Sequence, residues 1–294
     1  MVEIDTSTKV LGLIGDSVES SLSPRLQNWA IKRLDLDYRY FAFPVSEGSV
    51  AEAITGALDL GIRGLNVTVP HKKTAAEEMD ELSRAARVTG AVNTISFTDR
   101  REKKGDNTDW KGFLGSMELR EFDPDGKRCL VFGAGGAAAG VVYGLVRSGV
   151  RKIVIVNRTE ARGVELARKV EGLSPGVEID VRPLSGSKIG ERLEKSDLIV
   201  NATSVGMGET EGKTIWTKAG NFRPGQLVYD LIYNPSPTRF LELANCAGAD
   251  TMDGLDMLIL QGLESLKEWT GEDFDSGSLV ADLRRYLKNY KDLN

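Results

Sequence analysis

The strongest constraint on this chain is a rhythm in which short β-branched apolar runs alternate with amphipathic helical patterns. In the first third the runs are KVLGLIG (9–15), DYRYFAFPV (37–45) and IRGLNVTV (62–69), with helical stretches near 24–34 and 47–59 between them. AVNTISFTD (91–99) reads as a further strand that leads into a charged turn, REKKGDNTD. A second series follows: RCLVFG (128–133), KIVIVNR (152–158), GVEIDVRPL (176–184), SDLIVNATSVG (196–206) and GQLVYDLIYNP (225–235). These later runs are almost continuously apolar, as strands buried on both faces must be. Strands alternating with helices imply βαβ units and parallel sheets.

A chain of 294 residues allows one large or two medium domains. LREFDPDGKR (119–128) is polar, contains Pro124 and Gly126, and suits an inter-domain connection. Near the C-terminus, Leu255, Leu258, Ile259, Gly262, Leu263, Leu266 and Trp269 recur at three-four spacing, which predicts a packed helix.

Composition narrows the function classes. A net charge of -5 gives no global attraction to nucleic acid or to an anionic membrane, so a small anionic substrate would need a local cationic pocket. Cys129 and Cys246 stand alone, and with one histidine in the chain neither a disulfide framework nor a zinc or multi-histidine metal site is expected. The N-terminal stretch does not read as a signal peptide, and no apolar run approaches the length of a membrane span. The expectation is a cytoplasmic protein with reduced thiols, no metal and no membrane or nucleic-acid partner.

LVFGAGGAAAG places Gly133, Gly135 and Ala138 in a G-x-G-x-x-A arrangement between a strand and a helical pattern. Gly133 permits the tight turn, Gly135 lets the backbone approach a pyrophosphate, and Ala138 allows close helix–strand packing. The helix start adds free N–H groups and a positive dipole end. Glycine-rich turns also precede helices for purely steric reasons, so the strand–turn–helix context carries this reading. The next strand ends VNRTEAR, with Asn157 and Arg158 where an NAD binder usually has an acid. A guanidinium can pair with a 2′-phosphate that a carboxylate would repel, so NADP is the expected cofactor. Thr159 adds a hydroxyl, and Arg162 lies one helical turn beyond Arg158. Arg158 could instead stack on the rim of the sheet.

In SSLSPRLQN, Ser21 and Ser23 stand two apart just before Pro24 and a helix. Residues i and i+2 of an extended loop point the same way, and two hydroxyls beside a helix start make a carboxylate site. Ser23-Pro24 is equally an ordinary N-cap followed by proline at the first helical position. Asn66 and Thr68 are also i and i+2, at the end of a strand, where they form either a paired polar contact or a polar strand end. Asn93 could cap a turn, and Asp109 serves equally as an N-cap or first-turn acid. Gln261 lies off the apolar stripe of its helix, and Tyr233 sits in a loop beside Asn234-Pro235.

Taken together, SLSP, NVTVPHK, GAVNT, GDNTDWKG, GAGGAA, NRT, NATSVGM, YDLIYNP and DGLDMLILQ resemble, in the same order, the motifs of shikimate dehydrogenases. The match runs from about residue 10 to 265, nearly the whole chain. The resemblance implies an α/β chain of two lobes: an N-terminal substrate domain and a Rossmann-type doubly wound parallel sheet, with the C-terminal helices returning to the first lobe. Residues 1–108 with 255–294 would form the substrate domain, and 109–254 the NADP domain. The implied activity is NADP-dependent reduction of 3-dehydroshikimate to shikimate, by a monomer or homodimer.

Carried over residue by residue, the resemblance makes Lys72 and Asp109 the catalytic pair. It gives the substrate carboxylate to Ser21 and Ser23, and the hydroxyls to Asn66, Thr68, Asn93 and Gln261, with Tyr233 closing over the ring. The cofactor-binding set becomes Gly133, Ala134, Gly135, Gly136, Ala137, Asn157, Arg158, Thr159, Thr203, Met207, Gly254 and Met257. Three positions depart from the family pattern: Ser20 and Gln27 stand where histidines are usual, and His71 where phenylalanine is common. His71 is expected to be a structural ring beside the catalytic lysine. The departures leave open a quinate/shikimate dehydrogenase with broader substrate choice. A catalytically silent NADP-binding relative would have no need of both Lys72 and Asp109. Glutamyl-tRNA reductase has a similar Rossmann lobe but requires a nucleophilic cysteine in its N-terminal domain, and none precedes Cys129.

Overall fold

The computed structural model describes residues 4–186 and 188–291. In chain order the first elements are β1 (Lys9–Gly15), α1 (Ser23–Arg33), β2 (Tyr38–Pro44), α2 (Val50–Asp59), β3 (Gly64–Val67) and α3 (Lys72–Glu77). They are followed by β4 (Glu81–Leu82), α4 (Arg84–Thr89), β5 (Thr94–Phe97), β6 (Lys103–Asp106) and α5 (Asp109–Glu118). Next come β7 (Arg128–Phe132), α6 (Gly136–Arg147), β8 (Lys152–Asn157), α7 (Glu160–Val170), β9 (Glu178–Pro183) and α8 (Ile189–Glu194). The chain ends with β10 (Leu198–Asn201), β11 (Leu227–Asp230), α9 (Arg239–Cys246), β12 (Asp250–Met252), α10 (Leu255–Thr270) and α11 (Ser276–Lys291).

These elements form two compact units, Met1–Ser116 with Leu258–Asn294, and Met117–Met257. The divisions fall inside α5 and α10, a few residues past the helix starts at which the sequence reading placed them.

The first unit is built on a mixed sheet of order β2-β1-β3-β5-β6-β4. β1 pairs in parallel with β2 and β3, while β5 runs antiparallel to both β3 and β6. Its core joins Ile14, Val50, Ile54, Leu65, Val67, Val92, Ile95 and Phe97. Gly64 is required by the packing of α10: a Cβ there would lie 2.1 Å from Trp269 Nε1, and that indole donates to Ile95 O at 2.9 Å. The sequence assigned REKKGDNTD to a turn, but Lys103–Asp106 is β6, with Phe97 opposite Lys103 and Thr94 opposite Asp106. Its hydrophilic composition hid it. Gly105 faces Met79 and Val92 so closely that a side chain would clash, and backbone pairing rather than side-chain burial defines the strand.

The run IRGLNVTV is ordered as a strand only over Gly64–Val67. Thr68 N still donates to Ile14 O at 2.9 Å, but Pro70 lacks a donor and the chain turns, with His71 N bonded to Thr68 O at 2.9 Å. That turn starts α3 at Lys72.

The second unit has an all-parallel sheet of order β12-β11-β10-β7-β8-β9. Numbered within the unit, this is the 3-2-1-4-5-6 order of a Rossmann sheet. Leu130, Phe132, Val154, Val156, Ile199 and Val228 pack with Phe240 and Leu241 of α9 in one core cluster. Thr238 caps α9 by accepting from Leu241 N.

The order reverses between β7 and β10, the crevice where ligands of such sheets bind. Gly133 sits at this point with φ +114°, and a Cβ there would lie 2.9 Å from Ala202 O. Gly254 is packed more tightly still, since a Cβ would meet Leu231 O at 1.9 Å. Both atoms are backbone-anchored, so no rotamer change relieves the clash. Gly254→Ala is therefore expected to destabilise the protein by about 2 kcal/mol or more. Urea denaturation followed by circular dichroism checks this, and a midpoint equal to that of the wild type would refute it.

Candidate active site

Among the described residues, no group of three or more His, Cys, Asp or Glu side chains could hold a metal ion, and no helix is long and apolar enough to cross a membrane. The chemistry-bearing residues of the first unit gather instead at the end of β3 and the starts of β5, α3 and α5.

Lys72 opens α3 and Asp109 opens α5. The Lys72 ammonium donates to Asp109 Oδ2 at 2.5 Å, with the two side chains only 15% and 7% exposed. The second carboxylate oxygen, Oδ1, accepts from Asn93 Nδ2 at 2.8 Å. Asp109 also lies in the first turn of its helix, where the dipole favours a negative charge. One proton of the ammonium is used by Asp109, and two remain for a ligand.

Asn93 follows Val92 at the start of β5 and is buried. Its amide faces three acceptors: Asp109 Oδ1, Thr108 Oγ1 at 3.0 Å and Gln261 Oε1 at 3.2 Å. Its carbonyl accepts from Thr108 N at 2.8 Å. Gln261, on α10, gives one amide proton to Leu258 O at 2.8 Å and keeps the other. The structure thus brings together Lys72, Asp109, Asn93 and Gln261.

Asn66, on β3, has protein partners on three sides. Its carbonyl accepts from the buried Tyr40 hydroxyl at 2.8 Å, and its amide donates to Asn93 O and to Ser265 Oγ, each at 3.0 Å. Both amide protons are committed inside the protein. Burial also holds the Tyr40 phenol well above its ordinary range.

Ser21 Oγ accepts from Ser23 N at 3.2 Å just before α1. The residue capping α1 is Leu22, with Ser23 and Pro24 already helical, so the Ser23 side chain is not the cap. Among the described residues nothing hydrogen-bonds the hydroxyls of Ser23 or Thr68. His71 is buried, and its Nε2 lies 2.6 Å from Val45 O. A carbonyl can only accept, so the ring donates through Nε2 and ties the start of α3 to the end of β2. Gln27 bonds through Nε2 to Gly262 O at 2.8 Å, linking α1 to α10.

In the second unit the loop after β7 and the start of α6 carry Ala134, Gly135, Gly136 and Ala137, none of them buried. A Cβ on Gly135 would meet nothing within 4 Å, and among the described residues no side chain caps the first-turn N–H groups of α6. Asn157 Nδ2 donates to Thr159 O at 2.8 Å, and Arg158 and Thr159 are exposed beyond β8. An open glycine loop with an exposed guanidinium and no acid at the end of β8 fits a dinucleotide bearing a 2′-phosphate. Thr203 is fixed by Asn201 Oδ1, which accepts from its N at 3.1 Å and its Oγ1 at 2.7 Å. Met207 is 45% exposed and Met257 buried. Gly254 is buried, with the close backbone contact already described. Tyr233 is half-buried, which raises its phenol pKa.

Residues outside the sequence-based set hold these groups. Thr94, Thr108 and Ser265 are buried hydroxyls beside Asn66 and Asn93. Asp230, at the end of β11, accepts from Thr238 Oγ1 at 2.6 Å, Asn201 Nδ2 at 3.0 Å and Ile232 N at 3.1 Å. For Ser265 a signal existed, since it lies between Gly262 and Trp269 beside the apolar stripe, where a polar side chain needs partners.

Fold and site define a two-unit α/β chain whose second unit has the sheet order and open loop of a dinucleotide binder. Two family models match it: the shikimate dehydrogenase substrate binding domain over residues 13–95, and shikimate / quinate 5-dehydrogenase over residues 117–209. The shikimate dehydrogenase (NADP(+)) of Methanopyrus kandleri is 44% identical, with 92% of this chain and 93% of that one aligned. The structure of shikimate 5-dehydrogenase from Listeria monocytogenes in complex with shikimate and NAD aligns with a TM-score of 0.89 at 31% identity, covering 98% of this chain and 99% of that one. That of shikimate 5-dehydrogenase from Thermus thermophilus in complex with NADP(H) and shikimate aligns with a TM-score of 0.82 at 31% identity, covering 94% and 99%. The chain belongs to the shikimate dehydrogenase family.

The buried Asp230 gives the second unit a pH signature. Burial, and to a lesser degree Asp253, push its carboxyl up to about 6 against the hydrogen bonds it accepts. The folded state therefore holds this proton more tightly than the unfolded chain. The corresponding stability is fully present below the unfolded value of 3.8 and is lost as pH rises through about 6. Asp230→Asn is expected to remove this component, so that the stability gap to wild type narrows as pH rises through that window. Urea unfolding on either side of it is the check, and a gap independent of pH would contradict the assignment.

Proposed function

We propose that this protein is an NADP-dependent shikimate dehydrogenase, reversibly reducing 3-dehydroshikimate to shikimate with Lys72 and Asp109 as the acid/base pair. The observation that carries the reading is the shielded 2.5 Å ion pair at the starts of α3 and α5, in a chain of this family. Reduction of a ketone needs a hydride at the carbonyl carbon and a proton at its oxygen. Bound NADPH supplies the hydride. Gly133, Ala134, Gly135, Gly136 and Ala137 would hold its pyrophosphate, and Asn157, Arg158 and Thr159 its ribose phosphate. Thr203, Met207, Gly254 and Met257 complete the cofactor set.

The chain's own groups supply the rest. As negative charge develops on the carbonyl oxygen, the Lys72 ammonium stabilises it and then gives up a proton to form the alcohol. Asp109 holds the ammonium in place through its Oδ2. In the oxidative direction the neutral amine takes the alcohol proton. Ser21 and Ser23 receive the substrate carboxylate with the first N–H groups of α1. Thr68, Asn93 and Gln261 address the ring hydroxyls; the second amide proton of Gln261 and the hydroxyl of Thr68 are available for this. His71 stays with Val45 and takes no part in proton transfer. Residues 1–108 with 255–294 are the substrate domain of this reading, and 109–254 the NADP domain.

A spectrophotometric assay with shikimate or quinate, each with NADP or NAD, tests the activity; turnover should be fastest with shikimate and NADP. Lys72→Ala is expected to lower kcat by about 10²-fold or more, the usual minimum worth of positioned proton transfer, with NADPH affinity nearly unchanged. Retention of more than about a tenth of kcat would refute the role of Lys72.

A further inference from the structure

Four polar groups of the first unit converge on one small side chain of α10. Ser265 is fully buried. Its Oγ donates to Gln261 O at 3.0 Å, accepts from Asn66 Nδ2 at 3.0 Å, and lies 2.7 Å from Thr94 Oγ1 and 3.2 Å from Thr108 Oγ1. A serine hydroxyl has one proton and two lone pairs. Thr94 can donate either to Ser265 or to Asn93 Oδ1, which lies 3.0 Å away. Thr108 Oγ1 reaches Gln261 O at 3.0 Å. With the Ser265 proton on Gln261 O, both its lone pairs are taken by Asn66 and by Thr94 or Thr108, and its capacity is filled.

We infer that Ser265 is a positioning residue for the reaction. It fixes, through β3, β5, the segment before α5 and α10 at once, where Asn93, Asp109 and Gln261 point. Asn66 belongs to the same device. It couples the Tyr40 hydroxyl on one side to Ser265 and Asn93 O on the other, and so braces the backbone that presents Asn93. No atom of Ser265 needs to touch substrate. Its effect runs through Thr108 and Asn93 to Asp109 Oδ1, and directly through the turn of α10 that carries Gln261.

This inference rests on the activity proposed above and is tested in the same assay. Cysteine keeps the shape of Ser265, slightly enlarged, with only a weak S–H donor, whereas alanine removes the group altogether. Both Ser265→Ala and Ser265→Cys are expected to lower kcat/KM for shikimate by about tenfold, the effect of leaving one buried donor unsatisfied, with KM for NADP within about twofold of wild type. A Ser265→Cys enzyme with wild-type kcat/KM would show that packing alone matters and overturn the inference. So would a variant that loses thermal stability without any change in kcat/KM for shikimate. Wild-type protein inactive on shikimate with NADP would instead sink the proposed function. The cysteine variant also keeps the question answerable if the alanine variant fails to fold.

Discussion

An ammonium and a carboxylate held 2.5 Å apart, with both side chains largely withdrawn from water, must be compensated by everything around them. Removing such ions from water costs several kcal/mol each, even in a relaxed protein interior, and their mutual attraction alone does not guarantee a return. Here the carboxylate is met on its other oxygen by Asn93 and from below by the first turn of α5. The lysine starts a helix whose entry is pinned by His71 on Val45 and by the Val92 N–H on the Lys72 carbonyl at 2.8 Å. The site is a charged pair set in a frame of neutral amides and hydroxyls.

That frame explains the architecture of the first unit. Asn66, Thr94, Thr108, Gln261 and Ser265 come from four separate segments, and each buried donor or acceptor among them would cost about 1–3 kcal/mol if left without a partner. Mutual satisfaction makes the arrangement rigid, and rigidity is what a proton-transfer site requires. The second unit solves a different problem. Gly133 and Gly254 let backbones touch, while a Cβ on Gly135 would meet nothing within 4 Å and, among the described residues, no side chain caps the start of α6. One sheet end therefore combines close packing with a row of uncapped N–H groups.

Much of this was legible in the sequence because local pattern determines it. KIVIVN and RCLVF read as strands since both faces are buried, and GAGGAA announces a turn that only small residues can make. The short helices α3 and α4 and the two-residue β4 escaped, because six residues or fewer carry too little periodicity. β6 escaped because KKGD looks like a turn, although its pairing with β5 defines it. The site divided in the same way. Lys72, Asp109 and Asn93 were visible in motifs. Ser265 was visible only as a polar residue beside an apolar stripe, and its partner Asn66, 199 positions away, could not be read from local pattern. Asn66 shows the converse: its sequence leaves a ligand contact and a polar strand end equally open, and its partners on three sides come from distant segments.

The central claim is that the Lys72 amine itself moves the proton. Chemical rescue tests it most directly: shikimate oxidation by Lys72→Ala measured with a series of small primary amines of graded basicity. The account predicts that added amines restore part of the lost rate, with the gain rising along the series as amine basicity rises. A folded, NADP-binding variant whose rate is unaffected by every amine, or is restored equally by all regardless of basicity, would contradict it.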